Sequence, residues 1–370
     1  MLNMQECPRI LNSSAGLNNE TSLLVRTTRT ACQMKTRIGI NGFGRIGRLI
    51  VRAIADEGYN DIEVVAINSL GDPETNARML KYDSTYGTFQ DSIDWDQYSL
   101  YVNDHKIRSL TEYEPKNLDW SDQDVDIVLE CTGKFTSADQ ARVHIQNGAR
   151  KVIISAPAKN EDATIVLGVN EETYDPSNHN VISNASCTTN CIAPLIQVLH
   201  NDFGVVQGMM TTIHSYTNDQ QILDKRHKDP RRARAAAMNI IPTTTGAAKA
   251  VAKVIPDLDG KVHGMAFRVP TASVSVTDFV ATLNSKTDVD SVNQAYQSAA
   301  AGKLSGILEY SNEPLVSSDY KGSKSSCIID GLSTLSLNEN MVKIVGWYDN
   351  EWGYSCRTIE LASYIASKGL

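Results

Sequence analysis

R-I-G-I-N-G-F-G-R-I-G-R, Arg37 to Arg48, reads as a short apolar strand, a glycine-rich turn and the start of a helix. Leu49, Ile50, Ala53 and Ile54 continue at helical spacing, Gly58 supplies a stop signal, and Ile62 to Ile67 is a second apolar run of strand length. Strand, turn, helix and strand within about thirty residues form a βαβ unit, the context in which G-x-G-x-x-G signifies dinucleotide binding. In Gly42-Phe-Gly44-Arg-Ile-Gly47 the first glycine makes the turn, the second admits a pyrophosphate, and the third lets helix pack on strand. Asp126 to Glu130 and Lys151 to Ser155 are predicted as further buried strands of this sheet, with Thr132 at its ligand-binding carboxyl edge.

Beyond residue 186 the pattern changes. S-N-A-S-C-T-T-N-C-I-A-P, Ser183 to Pro194, sets Cys187 among hydroxyls and amides just before a helix carrying Ile192, Leu195, Ile196 and Leu199 and ending at Gly204. A thiol attacks as its thiolate, which the unpaired N–H groups at a helix start favour, so Cys187 is the candidate nucleophile. Met209 to His214, Gly264 to Val269, Ser273 to Leu283 and Met341 to Trp347 are strand-like, with helical stretches at Gly246 to Val254, Ser291 to Ala301 and Ser355 to Lys368. The expected fold class is α/β, a Rossmann-type dinucleotide-binding domain plus an α+β catalytic domain with a largely antiparallel sheet. The expected partition is an extension over 1 to 34, a dinucleotide-binding domain over 35 to 186, a catalytic domain over 187 to 352, and a C-terminal helix over 353 to 370 that packs back on the first domain.

Composition bounds the function. The 370 residues carry 35 Lys plus Arg against 43 Asp plus Glu, a net charge of -8, which gives no global field for nucleic acid or anionic lipid. Any anion site must be local. Seven scattered cysteines indicate a reducing, cytoplasmic setting, no second Cys/His pair stands at zinc spacing, and no apolar run reaches membrane-spanning length. Residues 1 to 34 are rich in Ser, Thr and Asn with three arginines. They read as a flexible extension, or as a start placed upstream of Met34, rather than as an organelle-targeting peptide, because Glu6 and Glu20 and weak amphipathicity argue against the latter.

Several ordered motifs resemble the phosphorylating glyceraldehyde-3-phosphate dehydrogenase family: I-N-G-F-G-R-I-G-R at Ile40 to Arg48, L-K-Y-D-S at Leu80 to Ser84, N-A-S-C-T-T-N-C-I-A-P at Asn184 to Pro194, T-T-I-H-S-Y-T-N-D-Q at Thr211 to Gln220, R-R-A-R-A at Arg231 to Ala235, T-G-A-A-K-A at Thr245 to Ala250, R-V-P at Arg268 to Pro270, and W-Y-D-N-E-W-G-Y-S at Trp347 to Ser355. The resemblance runs from about Lys35 to the end. It implies a homotetramer that oxidises glyceraldehyde 3-phosphate and joins inorganic phosphate to the product. It also implies Cys187 as nucleophile and His214 as base. Thr217 and Arg268 match the site for the substrate phosphate. Ser186, Thr188, Thr245 and Gly246 match that for attacking phosphate, with Arg232 between. Gly42, Gly44, Arg45, Ile46, Gly47 and Thr132 match cofactor-binding positions, and Asn350, beside Tyr354, matches the residue that orients the nicotinamide amide.

Ser69 departs from the pattern. It stands where a carboxylate at the end of the second strand would accept bonds from the adenosine ribose and repel a 2′-phosphate. Lys225 and Arg226 occupy a loop that in the family reaches a neighbouring subunit's cofactor, where two cations would neutralise that phosphate. NADP is therefore expected over NAD, with Asp72 as an alternative source of the carboxylate. Pro230 and Tyr113 also depart, the latter where an arginine is common near the adenine. Rival readings are an erythrose-4-phosphate dehydrogenase, disfavoured by Thr217; an amino-acid semialdehyde-forming reductase; and a cofactor- or redox-sensing binding protein built on the same thiol.

Overall fold

The computed structural model describes residues 35–370, so the expectations for residues 1 to 34 lie outside the described residues. In chain order the elements are β1 (Thr36–Asn41), α1 (Arg45–Glu57), β2 (Ile62–Asn68), α2 (Pro73–Lys81), the two-residue strands β3 (Tyr82–Asp83) and β4 (Gly87–Thr88), β5 (Ile93–Trp95), β6 (Ser99–Val102), β7 (His105–Leu110), β8 (Ile127–Glu130), the single-turn helices α3 (Ala138–Ala141) and α4 (Val143–Gln146), β9 (Lys151–Ile154), β10 (Ala163–Thr164) and β11 (Val181–Ser183). There follow α5 (Cys187–Phe203), β12 (Val205–Ser215), β13 (Ile241–Thr243), α6 (Ala247–Val254), β14 (Val262–Val269), β15 (Ser275–Leu283), α7 (Val289–Ala301), β16 (Leu308–Ser311), β17 (Cys327–Asp330), β18 (Leu335–Leu337), β19 (Met341–Tyr348) and α8 (Trp352–Lys368).

The first sheet has strand order β10-β11-β9-β8-β1-β2-β7-β6-β5, parallel from β10 to β7. The order in which the chain adds strands reverses between β8 and β1, the crevice where such sheets take ligands. The antiparallel edge β5 to β7 was not foreseen. A two-residue turn at Asn103 and Asp104, both at positive φ, builds it by matching the twist of the flanking strands.

Gly42 sits at φ 98°, and a Cβ there would lie 2.6 Å from the Thr132 nitrogen. A Cβ at Gly47 would collide with the Gly42 carbonyl oxygen. The turn therefore closes only on glycine.

The second sheet runs β13-β14-β12-β15-β19-β17-β16, with β18 also paired to β19. Most pairs are antiparallel, but β12 with β14 and β16 with β17 are parallel. Leu195, Leu199 and Val251 of the helices α5 and α6 join Met210, Phe279 and Ile344 of the strands in its core. The sheet thus supports α5 along its length and fixes where the start of that helix stands.

The last helix belongs to the other core. Cys356, Ile359, Leu361, Ala362 and Ile365 of α8 are buried among Ile38, Ile40, Leu49 and Ile50 of β1 and α1. Replacing Leu361, fully buried there, by Ala is expected to cost about 2–5 kcal/mol. Urea unfolding followed by far-UV circular dichroism checks this, and an unchanged midpoint would mean that α8 is not held in that core.

Candidate active site

Ser186 caps α5, its Oγ accepting from Thr189 N at 3.0 Å, so Cys187 is the first helical residue. Ala185, just before the cap, has φ 53°, a conformation that costs a non-glycine residue of order 1 kcal/mol or more. Its neighbours hold it. Ser183 Oγ accepts from Ala185 N at 3.0 Å, Tyr354 Oη donates to Ala185 O at 2.9 Å, and Asn184 Nδ2 donates to Thr358 Oγ1 at 3.0 Å. The helix α8 therefore braces the strand-to-helix turn that presents Cys187.

His214 lies near the end of β12 and faces Arg268 of β14 across a parallel register. Its Nε2 is 3.5 Å from Cys187 Sγ, and its Nδ1 is 2.7 Å from Ser215 O. Nδ1 faces a carbonyl that can only accept and, farther off at 3.1 Å, Arg268 Nη1 that can only donate; the shorter contact gives Nδ1 the proton and leaves Nε2 to accept from the thiol. Arg268 Nη1 donates to Ser215 O at 3.0 Å and to Thr217 Oγ1 at 3.3 Å, which gathers Thr217 into the same cluster.

Charge in this cluster is opposed by burial. Burial pushes the Cys187 thiol up to about 11, against a downward pull from Arg268 and from the Thr188 amide. Burial, then Arg268, pushes His214 down to about 3. Desolvation opposes a charge on either group alone, against the pull of Arg268 and the helix amides on the sulfur. Moving one proton from Sγ to Nε2 makes an adjacent ion pair rather than a lone charge, and that is the form in which the sulfur ionises here.

Arg232 is half-buried. Its Nη1 pairs with Asp219, its Nε donates to Thr243 Oγ1 at 2.9 Å, and its Nη2 donates to Thr244 O at 3.2 Å. It contributes to the depressed basicity of both His214 and Arg268, so two guanidiniums bear on one small region. Thr245 accepts from Ala247 N at 3.2 Å, and Gly246 precedes α6. Thr188 differs from expectation: it is buried, with its hydroxyl 2.9 Å from that of Tyr348, which in turn lies 2.9 Å from Thr212 Oγ1. Tyr348 was missed because one tyrosine in an alternating strand reads as core.

A second cavity opens at the carboxyl edge of the first sheet. Gly42, Gly44, Ser69, Tyr113 and Thr132 line it, as do Asn41, Asn68, Glu112 and Lys134, which the sequence did not single out. A Cβ on Gly44 would meet nothing within 4 Å, so space lies open where the first amides of α1 have no helical partner. This fits a dinucleotide pyrophosphate. Arg45, Ile46 and Gly47 follow in the first turn of α1, and the Arg45 side chain is committed elsewhere: it bridges Asp83 and Glu351, each at 2.5 Å. Asn350, beside Glu351, accepts from Ser215 Oγ at 2.8 Å and Ser275 Oγ at 2.9 Å, leaving Nδ2 without a partner among the described residues.

Ser69 Oγ accepts from Gly71 N at 3.2 Å and lies 3.0 Å from Asn76 Oδ1. Asp72 is spent as the cap of α2 and does not line the cavity. Lys225 and Arg226 are exposed and do not reach it within one chain.

Comparison with known proteins agrees with this geometry. Family models described as "Glyceraldehyde 3-phosphate dehydrogenase, NAD binding domain" and "Glyceraldehyde 3-phosphate dehydrogenase, C-terminal domain" match residues 36–138 and 186–350. The chain belongs to the glyceraldehyde-3-phosphate dehydrogenase family. It is 59% identical over 337 residues to a glyceraldehyde-3-phosphate dehydrogenase of Geobacillus stearothermophilus, covering 91% of this chain and 100% of that one. Glyceraldehyde-3-phosphate dehydrogenase 1 of Bacillus cereus is 57% identical over 90% of this chain and 100% of its own length. The corresponding enzyme 1 of Bacillus subtilis is 56% identical over 91% and 100%.

The paired ionisation has a direct consequence. Replacing His214 with Asn is expected to slow iodoacetamide alkylation of Cys187 at neutral pH by about tenfold or more, since the sulfur loses its proton acceptor. Equal alkylation rates in the two proteins would contradict the assignment of Nε2 as acceptor.

Proposed function

We propose that the protein catalyses the reversible, NAD(P)-dependent oxidative phosphorylation of glyceraldehyde 3-phosphate to its acyl phosphate, 1,3-bisphosphoglycerate. The observation that carries this reading is the 3.5 Å contact between Cys187 Sγ and His214 Nε2 beside two arginines. Cys187 adds to the aldehyde carbon, and its proton passes through His214 to the carbonyl oxygen, giving a hemithioacetal. The bound dinucleotide supplies a hydride acceptor. His214 Nε2 takes the hemithioacetal hydroxyl proton as the carbonyl reforms as a thioester. Inorganic phosphate then displaces the sulfur, which recovers its proton from the imidazolium.

Thr217 and Arg268 hold the substrate's own phosphate. The Arg268 Nη2 has no protein partner among the described residues, so it remains available to an anion. Ser186, Thr245 and the amides around Gly246 are assigned to attacking phosphate, with Arg232 between the two sites and Thr188 contributing through Tyr348. Asn350 Nδ2 donates to the nicotinamide carboxamide, because both hydroxyls that bond Asn350 occupy its oxygen.

NADP is favoured over NAD. The end of β2 offers the Ser69 hydroxyl and no carboxylate, and Lys134 lines the same cavity. Lys225 and Arg226 act across a subunit boundary in a homotetramer. Ile222, Leu223, Met238 and Ile240, on the same stretch of chain, are each more than two-thirds exposed in a single chain, as suits a surface that another copy covers. The cytoplasm is the expected location.

Initial rates with glyceraldehyde 3-phosphate and each cofactor, with and without phosphate or arsenate, test the reaction. Phosphate-dependent reduction of both cofactors is expected, and no turnover with either would overturn the reading. Replacing Ser69 with Asp, Lys225 with Leu and Arg226 with Pro together is expected to lower the NADP-to-NAD ratio of kcat/KM by about tenfold, or 1.4 kcal/mol. An unchanged ratio would locate selectivity elsewhere.

A further inference from the structure

Beneath the dinucleotide cavity lies a carboxylate that the chemistry at Cys187 does not use. Glu130 ends β8, is 2% exposed, and is the register partner of Asn41 across the β8–β1 crevice. It accepts from Asn41 Nδ2 at 2.6 Å, from Thr132 N at 2.8 Å and from the Thr132 hydroxyl, and its Oε2 is 3.2 Å from His144 Nε2. The tautomer of His144 follows from its other side. Trp120 Nε1 donates to His144 Nδ1 at 3.0 Å, so Nδ1 must be bare and Nε2 must carry the proton toward Glu130.

A carboxylate offers about four acceptor positions, and here all are filled by donors whose partners leave them no alternative. Asn41 cannot turn over, because its Oδ1 accepts from Asn68 Nδ2 at 2.8 Å. No lysine or arginine pairs with Glu130 among the described residues. Burying a carboxyl group without a cationic partner costs desolvation that apolar packing would not, which directs attention to what it holds. It holds Asn41 and Thr132, which line the cavity from the ends of the adjacent parallel strands β1 and β8, where the strand order reverses. Through Asn41 it also holds Asn68, whose Oδ1 accepts from Glu112 N at 2.8 Å.

We propose that Glu130, oriented by His144 and Trp120, is a positioning residue for the dinucleotide: it fixes Asn41 and the Thr132 backbone so that the crevice is open before the cofactor arrives. This rests on the dinucleotide use proposed above. Binding therefore avoids the cost of ordering these groups.

The test is direct titration of NADH and NADPH by tryptophan fluorescence quenching on the full chain. Wild type that binds neither cofactor would refute the parent reading and this one together; every other outcome bears on Glu130 alone. Glu130→Gln sets an amide donor against fixed donors and is expected to weaken both cofactors by about tenfold. The cofactor KM rises while kcat at saturation and Cys187 alkylation stay near wild type. Two variants at His144 separate positioning from packing. His144→Gln can accept from Trp120 and donate to Glu130, so it should bind near normally; His144→Leu can do neither and should bind severalfold more weakly. Unchanged affinity in Glu130→Gln, or binding in His144→Leu equal to or better than in His144→Gln, would overturn the proposal.

Discussion

One contact, 3.5 Å from the Cys187 sulfur to the His214 imidazole, is the constraint to which the rest of the site answers. Burial opposes a charge on either partner alone, and proximity allows them to ionise together. That proximity requires the start of α5 and the far end of β12, the next element in the chain, to meet to within a few tenths of an ångström. The start of α5 is set by the Ser186 cap, by strained Ala185 and by the α8 hydroxyls that hold the turn. The imidazole is set by the β12–β14 register and by Ser215 O, which fixes which nitrogen faces the sulfur.

The same helix ties this site to the dinucleotide cavity. The apolar side of α8 is part of the first sheet's core, while Tyr354 and Thr358 reach the Cys187 turn. At its start, Glu351 bridges to Arg45 in the first turn of α1, next to Asn350, and Tyr86 Oη donates to Asp349 at 2.8 Å. The glycine turn at Gly42 to Gly47 and the Asn350 amide thus hang on one ion-paired loop. This explains why a helix at the end of the chain packs on the first strand of the fold.

Much of this was legible in the residues. The βαβ unit is written in apolar periodicity and glycine spacing, the end of α5 in Gly204, and α8 in its apolar stripe. What stayed hidden has physical reasons. Short strands such as β5 and β10 carry too few residues to show alternation, and they form because a neighbour offers an edge. The Glu130, His144 and Trp120 network joins residues on separate segments, none of which stands in a motif. The commitment of Thr188 to Tyr348 and of Arg45 to Asp83 and Glu351 likewise depends on contacts between distant segments. The burial around Cys187 was hidden for a related reason: helix amides are visible in a sequence, whereas depth of burial is not.

The most direct test mixes the protein with glyceraldehyde 3-phosphate and NAD(P)+ in the absence of phosphate, quenches it in acid, and maps adducts by peptide mass spectrometry. A phosphoglyceroyl thioester on the peptide containing Cys187, lost on adding phosphate and absent in Cys187→Ser, is the predicted result. Oxidation of the aldehyde with no acyl group on Cys187, or undiminished oxidation by Cys187→Ser, would contradict it.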